Sequence, residues 1–359
     1  MKSTRAVVWL LLSLFLLSGC DTTPPLYKGQ FLAFGTLVDI TIAGLDPKDA
    51  QSATDIIEQD FKRMHHAWHA WDPGPLGRVN RLIQTGSTFS IPPSVLPLIF
   101  RGKALSEQSE GLFNPAIGQL IDAWGFHQND PDGKRAPPSQ ESIETLLQQA
   151  PSMDDLQIDG IQMHSKNTAV KLDFGAFGKG YGIDLAMEHL KELGINNAIL
   201  NAGGDLRAIG SRNGEPWRIA IRHPSGEGVL GVIETQGSES IFTSGDYERN
   251  FTWQEKRYHH IIDPRTGYPA TGTRSVTVIH NDATTADAAA TALFIAGPSQ
   301  WYEIAMRMGL RYVLLVDSHN TIHMNPAMQK RVQLADDSFP VKLSPPLNHT
   351  ERDLDPAQK

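Results

Sequence analysis

Cysteine is nearly absent from this chain: its 359 residues include one, Cys20, so no disulfide can close within it. Cationic runs are absent too. Lysine and arginine total 32 against 40 aspartates and glutamates, giving a formal net charge of −8. That balance argues against a nucleic-acid partner and leaves space only for a local basic pocket. There is no internal repeat and no clear linker inside the body. What is present is 40% hydrophobic residues, over a length sufficient for a large core or two lobes.

Cys20 has a specific setting. Lys2 and Arg5 precede an apolar run from Val7 to Leu17, which falls short of the roughly 20 residues that a membrane span requires. Leu17-Ser18-Gly19-Cys20 then resembles a bacterial lipobox, in which the cysteine is lipidated and becomes the mature N-terminus. The expectation is a signal peptide over 1–19, a lipidated tether over 20–30, and a soluble body on the periplasmic side of the inner membrane. Asp21 resembles the residue that retains such lipoproteins in the inner membrane of Gram-negative bacteria. An ordinary signal peptide with an incidental cysteine is the plainer alternative.

The centre of the chain is Leu172-Asp173-Phe174-Gly175-Ala176-Phe177-Gly178-Lys179-Gly180-Tyr181-Gly182-Ile183-Asp184. Thr168 to Leu172 reads as a strand. Ile183, Ala186, Met187, Leu190 and Leu193 recur at helical spacing, and Gly194 marks the stop. Glycines between strand and helix permit close backbone approach, and a helix N-terminus offers free N–H groups to an anion. Lys179 can neutralise a phosphate, and a bare carbonyl in such a turn can face a cation. On spacing alone the plain reading stands: a glycine-rich turn with an exposed lysine.

Around that centre, Leu32, Phe34, Val38, Ile40 and Ile42 alternate as one strand interrupted at Gly35-Thr36. Asp46-Pro47 starts a helix that runs through Ala53, Ile57, Phe61, Met64 and Trp68. His65, His66 and His69 lie on it. His65 and His69 have a zinc-compatible spacing but no accompanying glutamate motif, so they read as partly exposed helix residues. Pattern predicts further helices over 96–107, 141–149, 284–296 and 300–308, and a closing strand over 312–316. Strands are also predicted over 198–200, 217–221, 230–234, 240–243, 251–253, 258–262 and 274–279. A surface loop covers 127–140 and a polar tail 337–359. This order points to an α+β fold, with mixed, largely antiparallel sheets flanked by helices in one compact body over 31–336.

Further segments carry chemistry. Asp287 and Thr291 sit one turn apart on a helix face, and a carboxylate with neutral oxygens suits Mg²⁺. Thr284 and Asp287 equally match a capping box, and spacing does not choose. His260 and Ile262 share a strand face, where a neutral histidine can accept a proton from a hydroxyl nucleophile. Asp263-Pro264 and Gly267 also make a plain turn. Asn201-Ala202-Gly203-Gly204-Asp205 is either a hairpin turn or a nest of N–H groups for phosphate. Thr243-Ser244-Gly245-Asp246-Tyr247 ends a neighbouring strand that can line the same site.

Taken in order with Gly35-Thr36, Leu76 to Asn80, Gly118 to Phe126 and Ala283 to Gly297, these motifs resemble the ApbE-type FAD:protein FMN transferases from about Phe31 to Asn325. The resemblance implies a Mg²⁺-dependent enzyme that cleaves FAD, attaches FMN by a phosphoester to a Thr or Ser of a target protein, and releases AMP. It implies nucleotide contacts at Phe34, Trp71, Asp173, Lys179 and Ile262, and at the Leu112-Phe113-Asn114 segment. It implies metal ligation by the Ala176 carbonyl and the side chains of Asp287 and Thr291. His260 becomes the candidate base for the acceptor hydroxyl, with Asp263 or a bound water as substitutes. Membrane redox subunits are the implied targets.

The chain departs from the family pattern at four positions. Phe34 stands where Met is usual, Trp71 where Tyr is usual, Asn114 where Asp is usual, and Ala290 where some members place a further metal-site Asp. Two rival readings remain. One is a hydrolase that splits FAD with water; the other is a lipoprotein that only binds and carries flavin.

Overall fold

The structure is a computed structural model that describes residues 25–128, 135–225 and 227–347. The expected signal peptide, Cys20 and the first part of the tether lie outside the described residues. Among the described residues, no helix is long and apolar enough to cross a membrane.

A nine-stranded sheet forms the centre, and its order in space is its order along the chain. The strands are β1 Leu26–Ala33, β2 Thr36–Ala43, β3 Ala198–Ala202, β4 Asp205–Ile209, β5 Glu239–Gly245, β6 Thr273–His280, β7 Tyr312–Asp317, β8 Ile322–Met324 and β9 Val341–Leu343. Neighbours run antiparallel except β8 and β9, which are parallel. Strict alternation along β7 shows why both faces are covered. Val313 and Leu315 join the core under α1 Pro47–Trp68, α2 Gly178–Glu192 and α3 Ala283–Arg307. Leu314 and Val316 join a second core, beneath a three-stranded sheet of Arg218–Arg222, Val229–Glu234 and Val332–Leu334.

The local signals for α1 are realised. The Asp46 carboxylate accepts the Lys48 N–H at 2.9 Å, Pro47 opens the helix, and Ala53, Ile57, Phe61, Met64 and Trp68 are buried. α3 is two helices joined at Gly297 (φ 68°, ψ −178°), followed by Pro298, which matches the two segments expected there. A satellite cluster gathers Trp124, Phe126, Phe251 and Tyr258 beneath the hairpin of Asn250–Trp253 and Lys256–His259.

Several expectations need correction. Phe34 and Gly35 do not interrupt one strand. Both have positive φ (49° and 69°), so they form a two-residue hairpin turn of the primed type between β1 and β2. Phe31 and Ala33 then point inward, and Leu32 is left 74% exposed. β1 starts at Leu26, so the later residues of the expected tether belong to the sheet. Thr168 to Leu172 is not a strand. Lys171 makes a single bridge to Ile117, and the Asn80 side chain serves both backbone groups of Leu172, at 2.7 and 2.9 Å, as a strand neighbour would. α2 begins at Gly178 rather than Ile183, and Leu193 caps its end in solvent. The strand before His260 stops at His259. The chain does not close at β7. β8 and β9 follow, Leu347 is buried, and Tyr302 donates to the Pro346 carbonyl, so the first part of the expected tail is packed on the body.

Candidate active site

The glycine-rich start of α2 meets the start of α3 at Gly180. A Cβ there would collide with the Ala283 carbonyl oxygen and stand 2.9 Å from Asp287 Cβ, so glycine is what allows the helices to cross this closely. The Gly180 N–H donates to Asp287 Oδ2 at 2.9 Å. The group that meets the N-terminus of α2 is therefore the protein's own carboxyl.

Asp184, one turn along α2, returns the favour to α3. Its Oδ1 accepts the Ala283 N–H at 2.9 Å, and its Oδ2 accepts the N–H and hydroxyl of Thr284 at 2.8 and 2.7 Å. Arg207 from β4 pairs with the same carboxylate. The N-cap of α3 is Asp282, which accepts the Thr285 N–H at 2.7 Å. The capping box between Thr284 and Asp287 does not form, because Thr284 serves Asp184 and Asp287 reaches across to α2.

Lys179 forms an ion pair with Asp205, and Asp205 Oδ1 accepts the Thr243 N–H at 3.0 Å. Asp205 follows the β3–β4 turn, where Gly203 and Gly204 have φ of 69° and 103°; the hairpin-turn reading of Asn201 to Asp205 is the one realised. A Cβ on Gly203 would collide with Thr36 Oγ1, so the tips of the β1–β2 and β3–β4 hairpins touch. Phe34 lies at the first tip. Its ring stacks on Trp68 at 6.0 Å, and its edge would be 3.0 Å from a Cβ on Gly182. Two hairpin tips and two helix starts thus share one end of the sheet.

The charges respond to this crowding. Burial, opposed by Lys179 and aided by Asp205, pushes the Asp287 carboxyl up to about 8. Burial would lower the Lys179 ammonium, but Asp205 and Asp287 outweigh it and hold the group above its ordinary value. Asp173 Oδ1 accepts the Gly175 N–H at 2.8 Å, and burial raises its carboxyl. His260 Nδ1 lies 3.2 Å from the Arg249 carbonyl, to which it donates, leaving the Nε2 lone pair free. Burial, then the Arg249 charge, push His260 down to about 3, so it is neutral.

The donor set around Asp287 fits a small hard cation. Among the described residues there is no cluster of three or more His, Cys, Asp or Glu side chains that could hold a metal. Here the oxygens are one carboxylate, one hydroxyl and one carbonyl. The Ala176 carbonyl accepts no hydrogen bond among the described residues, because the amide one turn on, Gly180 N–H, goes to Asp287. Among the described residues, the one side-chain contact of Thr291 Oγ1 is with Ser244 Oγ, at 3.5 Å. Such a set suits Mg²⁺, which keeps open positions for water and phosphate.

The other expected residues have partners of their own. Leu112 and Phe113 are sealed in the core, Phe113 against Phe177. Ile262 is buried in the satellite cluster and shares no strand face with His260. Asn114 makes a local turn, accepting from Ala116 N–H and donating to the Pro151 carbonyl, each at 3.0 Å. Asp263 is paired with Arg265, which donates from Nε at 3.0 Å and Nη2 at 2.8 Å within the same turn. Trp71 stacks on His127 at 3.9 Å with Lys171 Nζ 4.0 Å from its ring centre. His65 and His69 face each other edge-on at 5.2 Å, His65 beside Phe34.

Sequence reasoning assigned no role to Asp184, Asp205, Arg207 or Arg249. Signals existed for the first three. Asp184 and Asp205 end the two glycine-rich motifs, and Arg207 is a charge between the buried Leu206 and Ala208 of one strand.

Comparison with known proteins identifies the family and the fold. The ApbE family model matches residues 34–314. A curated relative from Rhodobacter capsulatus, named FAD:protein FMN transferase, is 40% identical over 314 residues, covering 88% of this chain; the chain spans 60% of that relative's length. A Vibrio cholerae protein of the same name is 30% identical, covering 86% of this chain and 93% of its own. The crystal structure of the ApbE protein from Thermotoga maritima superposes with a TM-score of 0.78 at 32% identity, covering 86% of this chain and 99% of that one. By the family match over most of its length and by these relatives, the chain belongs to the ApbE family.

Proposed function

We propose that the protein is an FAD:protein FMN transferase. The observation that carries this reading is the crossing at Gly180, which brings an ammonium (Lys179) and a carboxylate–hydroxyl–carbonyl donor set (Asp287, Thr291, Ala176) to one end of the sheet. A dinucleotide diphosphate needs both kinds of group. In the reaction, the hydroxyl oxygen of an acceptor Thr or Ser bonds to the FMN-side phosphorus. The bond from that phosphorus to the bridging oxygen breaks, and AMP leaves with the oxygen. The hydroxyl proton passes to His260 Nε2.

Lys179 exchanges part of its pairing with Asp205 for a phosphate oxygen. Asp287, Thr291 and the Ala176 carbonyl would hold Mg²⁺, which supplies charge neutralisation on the diphosphate. His260 is held down first by burial and then by the charges of Arg249 and Lys179, and a bound diphosphate opposes the part that comes from those two cations. Phe34 and Trp71 offer aromatic surface to the flavin. The lipobox-like Leu17 to Cys20 supports attachment through a lipid on Cys20 at the periplasmic side of the inner membrane, beside redox subunits that carry the acceptor.

Intact-mass measurement tests the reading. A membrane redox subunit with an acceptor Thr, incubated with this protein, FAD and Mg²⁺, should gain the mass of FMN while AMP accumulates. Free FMN without a mass gain would establish hydrolysis, and bound FAD without AMP would establish a carrier. His260→Ala should slow transfer by ~100- to 10,000-fold while FAD still binds; transfer at the wild-type rate removes His260 from the mechanism.

A further inference from the structure

Lys179 is paired with Asp205 and feels the nearby Asp287, and Asp173 lies in the turn that leads into α2, so the ion pair of Lys179 is already spent. A second cation stands at the rim. Arg249 lies between β5 and the hairpin strand Asn250–Trp253, and it is exposed. Its guanidinium makes no hydrogen bond or ion pair among the described residues. Its placement is nevertheless tied to the site at both ends. The backbone carbonyl accepts the His260 N–H at 3.0 Å and faces His260 Nδ1 at 3.2 Å. Nη2 lies 3.8 Å from where a Cβ on Gly35 would stand, at the β1–β2 tip. Its charge is felt by Asp173, Lys179 and His260.

An arginine with a fixed backbone and an unspent head is arranged to receive something. A planar guanidinium suits a phosphate, whose oxygens it can grip in pairs. We propose that Arg249 is a positioning residue that binds the nucleotide's diphosphate from the rim of the cleft, adding the cation that Lys179, paired with Asp205, does not supply. This rests on the transferase reading. The ligand is the nucleotide rather than an acidic residue of the acceptor protein because the guanidinium stands beside the Gly35 tip, close enough for its charge to act on Lys179 and Asp173.

Binding is the proper readout, because Arg249 also depresses His260 and a rate would mix two effects. Flavin fluorescence titrations without acceptor protein, on wild type, Arg249→Ala and Arg249→Lys, compare FAD, FMN and riboflavin. The expected result is that Arg249→Ala weakens FAD and FMN by ~10- to 100-fold, the range for one charge-assisted pair, and riboflavin by less than about twofold. Arg249→Lys should recover part of the loss, and the melting temperature of both variants should match wild type. Equal loss for riboflavin would overturn the proposal in favour of a structural role. Unchanged FAD affinity with a raised KM for the acceptor would overturn it in favour of acceptor recognition. Wild-type protein that binds no FAD would instead bring down the transferase reading itself.

Discussion

Both faces of the central sheet are held to their covers by apolar burial, and one of them adds a polar crossing. On one face Leu206, Ala208, Ile241, Leu314 and Val316 meet Ile219, Ile221, Ile233 and Val332, an apolar contact of interchangeable shapes. On the other, the crossing of α2 and α3 is specified by one glycine, two buried carboxylates and an arginine. Apolar burial is favourable and non-directional. Buried ions are costly to desolvate and add little net stability, but each fixes a donor to one acceptor. The difference teaches that apolar burial holds both faces while the polar crossing adds position on one of them, and the proposed chemistry sits at the crossing.

Four substitutions can break or sharpen that contrast. Asp184→Ala leaves Arg207 without its carboxylate and the Ala283 and Thr284 N–H groups of α3 without their acceptor. It should cost about 3–5 kcal/mol in urea unfolding, and a cost below about 1 kcal/mol would mean that the crossing is not specified as described. Asp287→Asn can keep the bond from Gly180 but removes the charge that a metal needs. Transfer should fall by at least ~100-fold, the upper range for partners of metal ligands, with the fold retained.

The same variant reports on pH. Asp287 has a folded pKa of about 8 against an ordinary 3.8, so between those values the folded state holds more protons than the unfolded state. Metal-free stability therefore declines as pH rises from about 4 to about 8, and Asp287→Asn should flatten that slope in thermal melts. A slope unchanged by the substitution would assign it to other groups.

Gly180→Ala places a methyl against the Ala283 carbonyl and should cost ~1–3 kcal/mol through helix displacement. Its FAD affinity should fall with its stability, which a melt paired with a flavin titration would reveal. Ile233→Val, on the apolar face, should cost only ~0.5–1.5 kcal/mol. It should leave FAD affinity and transfer unchanged; a change in either would show that the two faces are coupled.

The elements legible in the sequence are those with local causes. Asp46-Pro47 announced α1, and Gly297-Pro298 divided α3 where two segments were expected. The antiparallel, helix-flanked α+β character was legible from the succession of alternating and helical periods. Misreadings arose where a tertiary partner overrode a local pattern. The alternation from Leu32 to Phe34 looked like one strand, because a phenylalanine at positive φ carries no turn signal of its own. Thr168 to Leu172 looked like a strand, but Asn80 supplies the hydrogen bonds that a neighbour would. Leu112, Phe113 and Ile262 stood in matched motifs, and their burial was not legible from those motifs.

By itself the sequence determined the glycine-rich start of α2, the composition of both cores and which residue types were available for phosphate and cation. It also carried the ordered motifs by which the family is known. Tertiary structure alone decided that Gly180 answers Asp287 and that Asp184 caps α3. Those partners lie 107 and 100 positions apart, and no period of 2 or 3.6 residues reaches that far. Only closing the sheet and crossing the helices brings them within hydrogen-bonding distance.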